Sequence, residues 1–308
     1  MKTEDKVVGR VSYSQYSMWM NCPLQWKLAY VDKVKPEEAS IHLVFGTAMH
    51  EVIQYWITEA YKSNIQKANR IDLDEKFKAT LIREFKKSII EIPTTENEKP
   101  VKVFPCDKAI LEEFYADGIA ILKYLRDHAK KFFDTENWEL VGVEVPLNVR
   151  LRKGVNYIGY LDVVLKERTT GDVYILDLKT STKGWNKWIK ADEKKLNQLL
   201  LYKHYYSEQL GISQDKIFVE FIILKRKLYE DVEFPQHRIV TFEPSHGKIS
   251  VGRAHQSFIK FIDECFDLDG KKSIDKIIAT PSKSACMFCP FNNNKALCSV
   301  SYYLGKKK

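Results

Sequence analysis

Two aspartates inside apolar, β-rich runs constrain this chain more than any other feature. Asp162 lies in the run GYLDVVL, and Asp177 follows fifteen residues later in VYILDLKTS. A carboxylate within a buried strand costs free energy unless a cation or hydrogen bonds compensate it. Asp177 and Lys179 are two residues apart and therefore share one face of their strand, whereas Leu178 faces the core on the other side. We therefore expect the fold to compensate these carboxylates.

The residues around the aspartates alternate in hydrophobicity and are rich in β-branched side chains. Three such runs, at 138–151, 155–166 and 173–180, are separated by short turn signals and predict a meander of three strands. The elements expected to follow are, in order, a helix at about 190–210, a strand at 217–224, a further strand around 237–242 and an amphipathic helix at 246–267.

The first half of the chain is predicted to be mainly helical. A short helix is expected at 12–30, with an irregularity at Pro23. A second helix is expected to begin near Phe45, and helical periodicity continues over 57–134. The polar, Pro-bounded segment 92–105 is predicted to be a loop between helices.

The order of helices, three strands, helix, strand and helix predicts an α/β fold, with a mixed sheet flanked by helices and a helical insertion. We expect a single domain over residues 1–308. Its expected parts are the N-terminal helices (1–56), the helical insertion (57–135), the core (136–243) and a C-terminal helix followed by a Cys-rich segment (244–308).

Charge and composition indicate the class of partner. A net charge of +8 suits a polyanion, because each Lys or Arg that neutralises a phosphate releases counterions. The same charge also fits an ordinary basic surface. The sequence has no apolar run of about 18 residues that could cross a membrane. The start MKTEDKVVGR lacks the apolar stretch of a secretory signal, so we expect a cytoplasmic protein without a membrane partner.

The two carboxylates and the lysine suit metal-dependent phosphodiester hydrolysis. Asp162 and Asp177 supply hard oxygen ligands for Mg²⁺, which can polarise a phosphate and activate water. Lys179 can orient that water and offset the charge of the transition state. A plain ion pair at a strand end is the alternative for D-x-K alone, and it becomes weaker once Asp162 is added.

His50 and two polar residues on a later helix are further candidates. Gly46 and Thr47 are expected to open the second helix, and His50 falls one turn into it as an extra ligand for a Mn²⁺-tolerant site. A lone histidine is more often a surface or satisfied core residue. Gln198 and Tyr202 are four residues apart and lie on one helix face, although Q-x-x-x-Y alone is weak evidence.

Taken in order, these motifs resemble the RecB-like branch of the PD-(D/E)XK nuclease superfamily. The matching patterns are G-T-x-x-H, G-x-x-D, D-x-K-T and Q-x-x-x-Y, found here at Gly46, Thr47, His50, Gly159, Asp162, Asp177, Lys179, Thr180, Gln198 and Tyr202, with Glu144 at the acidic position that often precedes the first Asp. The resemblance covers residues 45–202 and implies a restriction-endonuclease-like fold.

The resemblance also implies the roles of these residues. It implies a deoxyribonuclease in which His50, Asp162, Asp177 and the backbone of Leu178 hold Mg²⁺ or Mn²⁺. Lys179 would act on the nucleophilic water. Gln198 and Tyr202 would complete the catalytic residues, with a polar helix face toward the lysine, the metal-bound water or the DNA backbone.

Six cysteines have no obvious disulfide role, because a reducing compartment favours metal ligation. Cys286, Cys289 and Cys298 lie close together in CMFCPFNNNKALC, and Cys22, which precedes a proline as Cys289 does, is the natural fourth ligand. This arrangement resembles the iron–sulfur subset of the same branch, which includes the CRISPR-associated exonucleases. It implies a 4Fe–4S cluster that joins the N- and C-terminal regions.

The spacing before the last cysteine is longer than is usual in that subset. Structural Zn²⁺ is therefore a competing ligand, because tetrahedral Cys₄ suits it equally well, and unliganded thiols are a third alternative. Cys106 and Cys265 lack such partners in the sequence, so we read them as ordinary buried or surface residues.

Several segments are candidates for contact with DNA. Residues 183–190, KGWNKWIK, interleave two tryptophans with lysines, which suits single-stranded nucleic acid, although the rings could equally pack in the core. Weaker candidates are a second basic edge at Lys225, Arg226 and Lys227, where a solvated face is the simpler reading, and the first helix at Gln15, Tyr16 and Trp19.

Together these features predict a DNA exonuclease that uses Mg²⁺ or Mn²⁺ and prefers single-stranded ends. The alternatives are a catalytically weak or inactive nuclease-like DNA-binding adaptor in a recombination, repair or CRISPR-adaptation complex, and a metal-independent structural partner. The chain has no Walker-type G-x-x-x-x-G-K-[ST], so a helicase or recombination partner would be a separate chain. Neither a polarity nor an oligomeric state follows from the pattern.

Overall fold

The computed structural model describes residues 9–35, 39–92, 100–152, 154–275 and 277–303. Within these ranges the chain forms β1 (Gly9–Val11), α1 (Tyr13–Asn21), α2 (Pro23–Trp26), α3 (Ile41–Lys62), α4 (Ile65–Ala68), α5 (Leu73–Lys87), β2 (Ile90–Ile92), β3 (Val101–Val103), α6 (Lys108–Asp127), α7 (Ala129–Phe132), β4 (Trp138–Arg152), β5 (Val155–Glu167), β6 (Val173–Ser181), α8 (Glu193–Leu210), β7 (Ile217–Lys225), β8 (Ile239–Phe242), α9 (Lys248–Cys265) and α10 (Lys283–Met287). A π-helical turn, Lys27–Val31, continues α2.

The main sheet is mixed, and β5 has different neighbours on its two edges. β4 pairs antiparallel with β5 along nearly the whole of one edge. On the other edge, β5 pairs antiparallel with β6 only over Val163–Lys166 and parallel with β1 only over Val155–Tyr157. β6 continues parallel to β7, and β7 pairs antiparallel with β8. The sheet therefore opens between β1 and β6, beside residues 158–162.

The two strands of the β4–β5 hairpin twist sharply at this opening. In β5, Leu161 packs in the core under α8 and α9, whereas Val163 packs in the core under α3. In β4, likewise, Val145 packs against the core under α8 and α9, and Val143 packs against the core under α3. Regular alternation would keep residues two apart on one face. Glu144, between these valines, has a φ of 50°, in the left-handed region that favours glycine, so backbone strain coincides with the twist.

Two apolar cores cover the two faces of the sheet. α1, α8 and α9 pack on one face around a group of aromatic rings that includes Tyr16, Tyr157, Tyr205, Phe258 and Phe261. α3, α5 and α6 pack on the other face, where the largest buried rings are Phe45, Trp56, Phe77, Phe114 and Phe133. Burial of apolar surface stabilises such layers by about 25 cal/mol per Å². The opening lies where these two layers meet.

The predicted α/β class is confirmed, with a mixed sheet flanked by helices. The three-strand meander is confirmed as β4, β5 and β6. The break in the first helix is also confirmed, because α1 ends at Asn21 and α2 begins at Pro23, where a missing amide hydrogen is tolerated. None of the described helices is long and apolar enough to span a membrane.

Two details of the prediction are wrong. α3 begins at Ile41 rather than near Phe45, so Gly46 and Thr47 lie inside the helix and do not open it. The segment 92–105 is not wholly a loop, because β3 pairs with β2 across it, while residues 93–99 lie outside the described residues. The short strand β1 had no prediction, since three residues carry too little periodicity.

Candidate active site

The opening in the sheet brings Asp162 and Asp177 together. The last paired residues of β5 and β6 on this side are Val163 and Leu176, so the two aspartates are the first residues beyond the pairing. The backbone amide of Leu178 donates a hydrogen bond to Oδ2 of Asp162 at 2.8 Å instead of to a strand carbonyl. β6 keeps its position because it remains paired with β7 as far as Ser181. Asp162 therefore points into the space between the diverging strands.

Lys179 contacts Asp177 within this space. Its Nζ atom lies 2.5 Å from Oδ2 of Asp177, and the two side chains share a strand face as their spacing predicts. Asp177 is 1% exposed and Lys179 is 30% exposed, so the ammonium group extends from the buried carboxylate toward solvent. Neither carboxylate oxygen of Asp177 has a hydrogen bond of ordinary geometry among the described residues.

Helix α3 crosses the opening with one stripe of residues. Gly46, His50 and Gln54 are four residues apart and so lie on one helix face. A Cβ atom on Gly46 would lie 3.3 Å from Oγ1 of Thr180 on β6. Nδ1 of His50 lies 3.5 Å from Oδ2 of Asp162. The stripe thus passes from β6 toward β5, and the glycine allows the helix to approach β6 closely.

The imidazole of His50 is neutral near neutral pH. Burial, and to a smaller extent the positive charge of Lys179, lower its pKa to about 4. Asp177 and Glu144 oppose this shift, as does a hydrogen bond to the backbone of Leu178. A neutral imidazole retains a lone pair, which is the form that binds metal ions.

Both carboxyl groups at the opening have raised pKa values. Burial raises the pKa of Asp162 to about 6, opposed by the charge of Lys179 and by the amide of Leu178. Burial also raises the pKa of Asp177 to about 6, and the charge of Asp162 adds to this, whereas Lys179 opposes it. Two carboxylates close together in a dry site cannot both ionise easily without a cation. They are therefore ionised mainly above about pH 6.

Gln54, which the sequence analysis did not identify, connects α3 to the twist in the hairpin. Its Nε2 atom donates to Oε1 of Glu144 at 2.6 Å and to the backbone carbonyl of Asp162 at 3.1 Å. The side chain of Gln54 is buried, whereas Glu144 is exposed, so the two hydrogen bonds are partly shielded from water. The four-residue interval from His50 is the sequence signal that could have found it.

The predicted Gln198–Tyr202 pair lies on α8 on the other side of the opening. Nε2 of Gln198 donates to the hydroxyl of Tyr202 at 3.1 Å. A Cβ atom on Gly159 would lie 3.2 Å from Cε1 of Tyr202, so the absent side chain lets the tyrosine ring approach β5. Burial raises the pKa of Tyr202, and the charge of Asp177 raises it further. The phenol therefore stays protonated and can donate a hydrogen bond.

The donors at the opening fit a hard divalent cation. Mg²⁺ and Mn²⁺ prefer carboxylate and carbonyl oxygens, which Asp162, Asp177 and the backbone of Leu178 provide. The buried oxygens of Asp177 have unused acceptor capacity that a cation would satisfy. As placed, the described residues contain no group of three or more His, Cys, Asp or Glu side chains that could hold a metal ion. The ammonium group of Lys179 makes the close contact with Asp177.

The four cysteines predicted to act together line one small cavity. Cys22 lies at the break between α1 and α2, and Cys286, Cys289 and Cys298 reach it from the C-terminal segment. Burial raises the pKa of Cys289, and the other three thiols add to this effect. No disulfide forms among the described cysteines. As placed, the described side chains around this cavity likewise form no group of three or more that could hold a metal ion.

One hydrogen bond joins the N-terminal and C-terminal segments beside this cavity, and another orders the C-terminal segment. Nδ2 of Asn21 donates to the carbonyl of Ala285 at 2.9 Å, and Nδ2 of Asn292 donates to the carbonyl of Cys286 at 2.6 Å. The remaining cysteines lie elsewhere, as predicted: Cys265 is buried at the end of α9 and Cys106 is partly buried against the second core.

The structure separates the two tryptophans of the 183–190 segment. Trp185 packs against Phe221 at 4.8 Å between ring centroids and is partly buried against the core. Trp188 is 74% exposed, and Nζ of Lys187 lies 5.0 Å from its ring centroid. The ring of Trp188 is therefore the more accessible of the two for stacking on a base.

The other predicted nucleic-acid contacts are not supported. Arg226 is buried and pairs with Asp117 at 2.6 Å, and Lys227 pairs with the same carboxylate at 3.2 Å, so these two residues join β7 to α6 rather than forming a solvated basic edge. The first-helix candidates were also wrong, because the three side chains are buried: Gln15, Tyr16 and Trp19.

One comparison with known proteins shows the family. The sequence model described as the PD-(D/E)XK nuclease superfamily matches residues 10–294, which is nearly the whole chain. Among solved structures, the chain is similar to one described as "Crystal structure of SSO0001", with 14% identity, coverage of 90% of this chain and 93% of that chain, and a TM-score of 0.30. No curated protein matches the chain.

Proposed function

The chain belongs to the PD-(D/E)XK nuclease superfamily, and from this premise we propose that it is a metal-dependent deoxyribonuclease that degrades DNA from single-stranded ends. One observation carries the proposal. Asp162, Asp177 and Lys179 meet with His50 at the opening of the sheet, although they come from three elements of the chain. The order of their motifs further supports assignment to the RecB-like branch.

A bound Mg²⁺ or Mn²⁺ would polarise the scissile phosphate and lower the pKa of a water molecule. Asp162, Asp177, His50 and the backbone of Leu178 are the groups that would hold it. The chain itself contributes orientation and charge: the ammonium of Lys179 is placed to position the attacking water and to offset negative charge that develops on the phosphate.

Tyr202 and Gln198 would act from the opposite side of the opening. Because the phenol of Tyr202 remains protonated, it can donate to a phosphate oxygen, while Gln198 fixes the orientation of its hydroxyl. Burial lowers the pKa of His50 and keeps its imidazole neutral, so the ring retains the lone pair that binds metal ions. The opening thus offers a phosphate one ammonium donor, from Lys179, and one hydroxyl donor, from Tyr202.

The preference for single strands rests on the loop after β6. Trp188 is exposed only seven residues from Ser181, the end of the catalytic strand. Lysines at 183, 187 and 190 accompany it. An exposed indole among lysines stacks on an unpaired base while the cations contact phosphates. Duplex DNA offers no unpaired base to this ring.

We also propose that the four clustered cysteines bind a 4Fe–4S cluster with a structural role. Thiolates are the ordinary ligands of such clusters, and apolar side chains surround the thiols here, among them Leu24, Leu28 and Phe291. A structural Zn²⁺ is the competing ligand for the same four thiols.

The test of the nuclease function uses purified protein and end-labelled DNA. We expect degradation of linear single-stranded DNA with Mn²⁺ or Mg²⁺, no degradation in EDTA, and slower degradation of blunt duplex DNA. Circular single-stranded DNA should resist, because it has no end. Cleavage of the circle would contradict the exonuclease proposal and indicate an endonuclease.

The matched variant is Lys179→Ala. It should lower the cleavage rate by about 10²-fold or more, since it removes a charge aimed at the transition state, and it should leave DNA binding largely intact. Lys166, a lysine on β5 outside the opening that pairs with Glu139, supplies the control Lys166→Ala. Cleavage by Lys179→Ala at the wild-type rate, or DNA binding with no cleavage by wild type in any metal, would support the inactive adaptor instead.

A further inference from the structure

The β4–β5 hairpin carries a cleft beyond the opening that the proposed active site does not use. This hairpin cleft has a volume of about 290 Å³. Its lining includes the side chains of Arg10, Pro146, Asn148, Asn156, Ile158 and Tyr160. β1, β4 and β5 all contribute residues to this lining. The cleft forms where β5 is paired with β1 and no longer with β6.

The strand register directs this cleft toward the catalytic carboxylates. Arg10 of β1 lies opposite Asn156 of β5. Residues two apart share a face, so Asn156, Ile158 and Tyr160 form one row, which ends two residues before Asp162, where the strand twists. At about 3.3 Å per residue, the stretch of β5 from Asn156 to Asp162 is about 20 Å long. The cleft therefore ends beside the active site.

The row lies on the open side of the hairpin. The alternate residues Tyr157 and Leu161 are buried under α8 and α9 on the opposite face. Tyr160 is 61% exposed, so the described part of the chain leaves its ring accessible. His50 approaches Asp162 from α3, the helix whose core lies on the face away from α8.

The chemistry of the hairpin cleft fits a nucleic-acid strand. An exposed tyrosine ring can stack on a base, and the exposed guanidinium of Arg10 can bind a phosphate. Nδ2 of Asn156 donates to Oδ1 of Asn148 at 2.8 Å, and these two amides add polar groups to the lining of the cleft. The net charge of +8 favours the same polyanion.

We propose that the hairpin cleft binds the single-stranded segment of the substrate adjacent to the nucleotide that is cleaved. The proposal rests on the proposed nuclease function and deepens it, since it assigns a second set of substrate contacts to the same site. Tyr160 supplies stacking and Arg10 supplies charge. These two contributions predict different measurable effects.

The stacking contribution is tested with Tyr160→Ala in full-length protein. Binding of a fluorescently labelled oligothymidylate is measured by anisotropy in EDTA, so that cleavage does not interfere. Loss of one stacked base should weaken binding about tenfold. Tyr160→Phe keeps the ring and should bind like wild type. The matched control is Phe104→Ala, which removes an exposed ring on the helical insertion and should have no effect.

The charge contribution is tested with Arg10→Gln. The slope of log binding constant against log salt concentration should fall in magnitude by about 0.7, because one phosphate contact is lost from a single strand. Tyr160→Ala should leave this slope unchanged. Lys248→Gln is the control, because this exposed lysine begins α9 on the opposite side of the sheet.

Hydrolysis of bis(p-nitrophenyl) phosphate with Mn²⁺ measures the activity of the active site alone, because this small diester has no single-stranded segment that could occupy the cleft. A wild-type protein that binds oligothymidylate but hydrolyses neither DNA nor this diester would overturn the nuclease function and leave the cleft contacts supported. If Tyr160→Ala and Arg10→Gln bind oligothymidylate as wild type does, or if wild type does not bind it, the proposal about the hairpin cleft is wrong. Thermal melting confirms that each variant is folded.

Discussion

The side chain of Asp162 accepts a hydrogen bond from the backbone amide of Leu178, 2.8 Å away, at the residue where β5 and β6 separate. A side chain thereby satisfies a strand amide that would otherwise lack a partner. The contact also fixes the carboxylate beside His50 and within the influence of Lys179. Asp162 therefore has a structural and a chemical role, and suitable variants can separate them.

Asp162→Asn and Asp162→Ala should both be inactive but should differ in stability. The asparagine keeps an oxygen that can accept from Leu178 and carries no buried charge, so above about pH 6 the metal-free variant should be at least as stable as wild type. The alanine leaves a partly buried amide without a partner, which costs about 1–3 kcal/mol. Chemical denaturation in EDTA measures both. Equal stability of the two variants would show that the contact with Leu178 contributes little.

Asp177→Asn should stabilise the metal-free protein at neutral and alkaline pH. The pKa of Asp177 is raised to about 6 from an unfolded value near 4, chiefly by burial. A raised carboxyl pKa contributes stability that is fully present below about pH 4 and is lost as the pH rises through about 6. Asparagine carries no charge and lacks this loss.

The measurement is the melting temperature of both proteins in EDTA at about pH 8 and about pH 5. We expect the variant to melt above wild type at the higher pH and the difference to shrink at the lower pH. Excess Mn²⁺ should reverse the order at the higher pH, because only wild type keeps both carboxylates for the cation. A variant that melts below wild type in EDTA at both pH values would contradict a charge-based cost.

Gln54→Met should raise the Mn²⁺ concentration needed for half-maximal cleavage. Gln54 donates to Glu144 and to the backbone of Asp162. Its loss therefore removes a hydrogen bond that supports Glu144, the residue of β4 with a strained backbone, beside the site. Partners that orient metal-binding groups typically change metal affinity about 10–100-fold. Saturating Mn²⁺ should restore most of the rate, which a general loss of folding would not allow.

The control for this prediction is Thr58→Val, one turn further along α3. Thr58 donates only to the helix carbonyl of Gln54 and makes no described contact with β4 or β5. It should need as much Mn²⁺ as wild type does. An equal shift in both variants would mean that α3 is generally destabilised and that Gln54 has no positioning role.

Local geometry explains what the sequence could predict. Alternation with period two predicts the β4–β6 meander, and a two-residue spacing places Asp177 and Lys179 on one face, whatever the rest of the chain does. The four-residue spacing of Gln198 and Tyr202 works in the same way on α8. These features depend only on residues close together in the chain.

The features that the sequence did not predict depend on distant contacts. Arg226 looks like a surface cation in sequence, but Asp117, 109 residues earlier, makes it a buried ion pair. β1 is too short to show a period and is held by β5, far along the chain. The role of Gln54 requires the register of a hairpin that follows it by about a hundred residues. Propensity and spacing contain no information about such pairs.

Cys22→Ser should have the same effect as Cys286→Ser on bound metal. Cys22 is distant in the sequence but lines the same cavity as the C-terminal thiols, so each thiolate would be one of the four ligands of the proposed cluster. We expect anaerobically purified wild type to be brown, with iron and sulfide in equal amounts. Both variants should lose the colour and melt at a lower temperature, because the link between the chain ends is lost.

Cys265→Ser is the control, because this thiol is buried at the end of α9 and does not line the cavity. It should keep the full iron content, although a buried hydroxyl will lower its stability somewhat. Elemental analysis and the visible spectrum distinguish the outcomes. Colourless wild-type protein with one zinc per chain would establish the competing ligand. Wild type with neither metal, and a Cys22→Ser variant that melts like it, would show that the four thiols bind no metal.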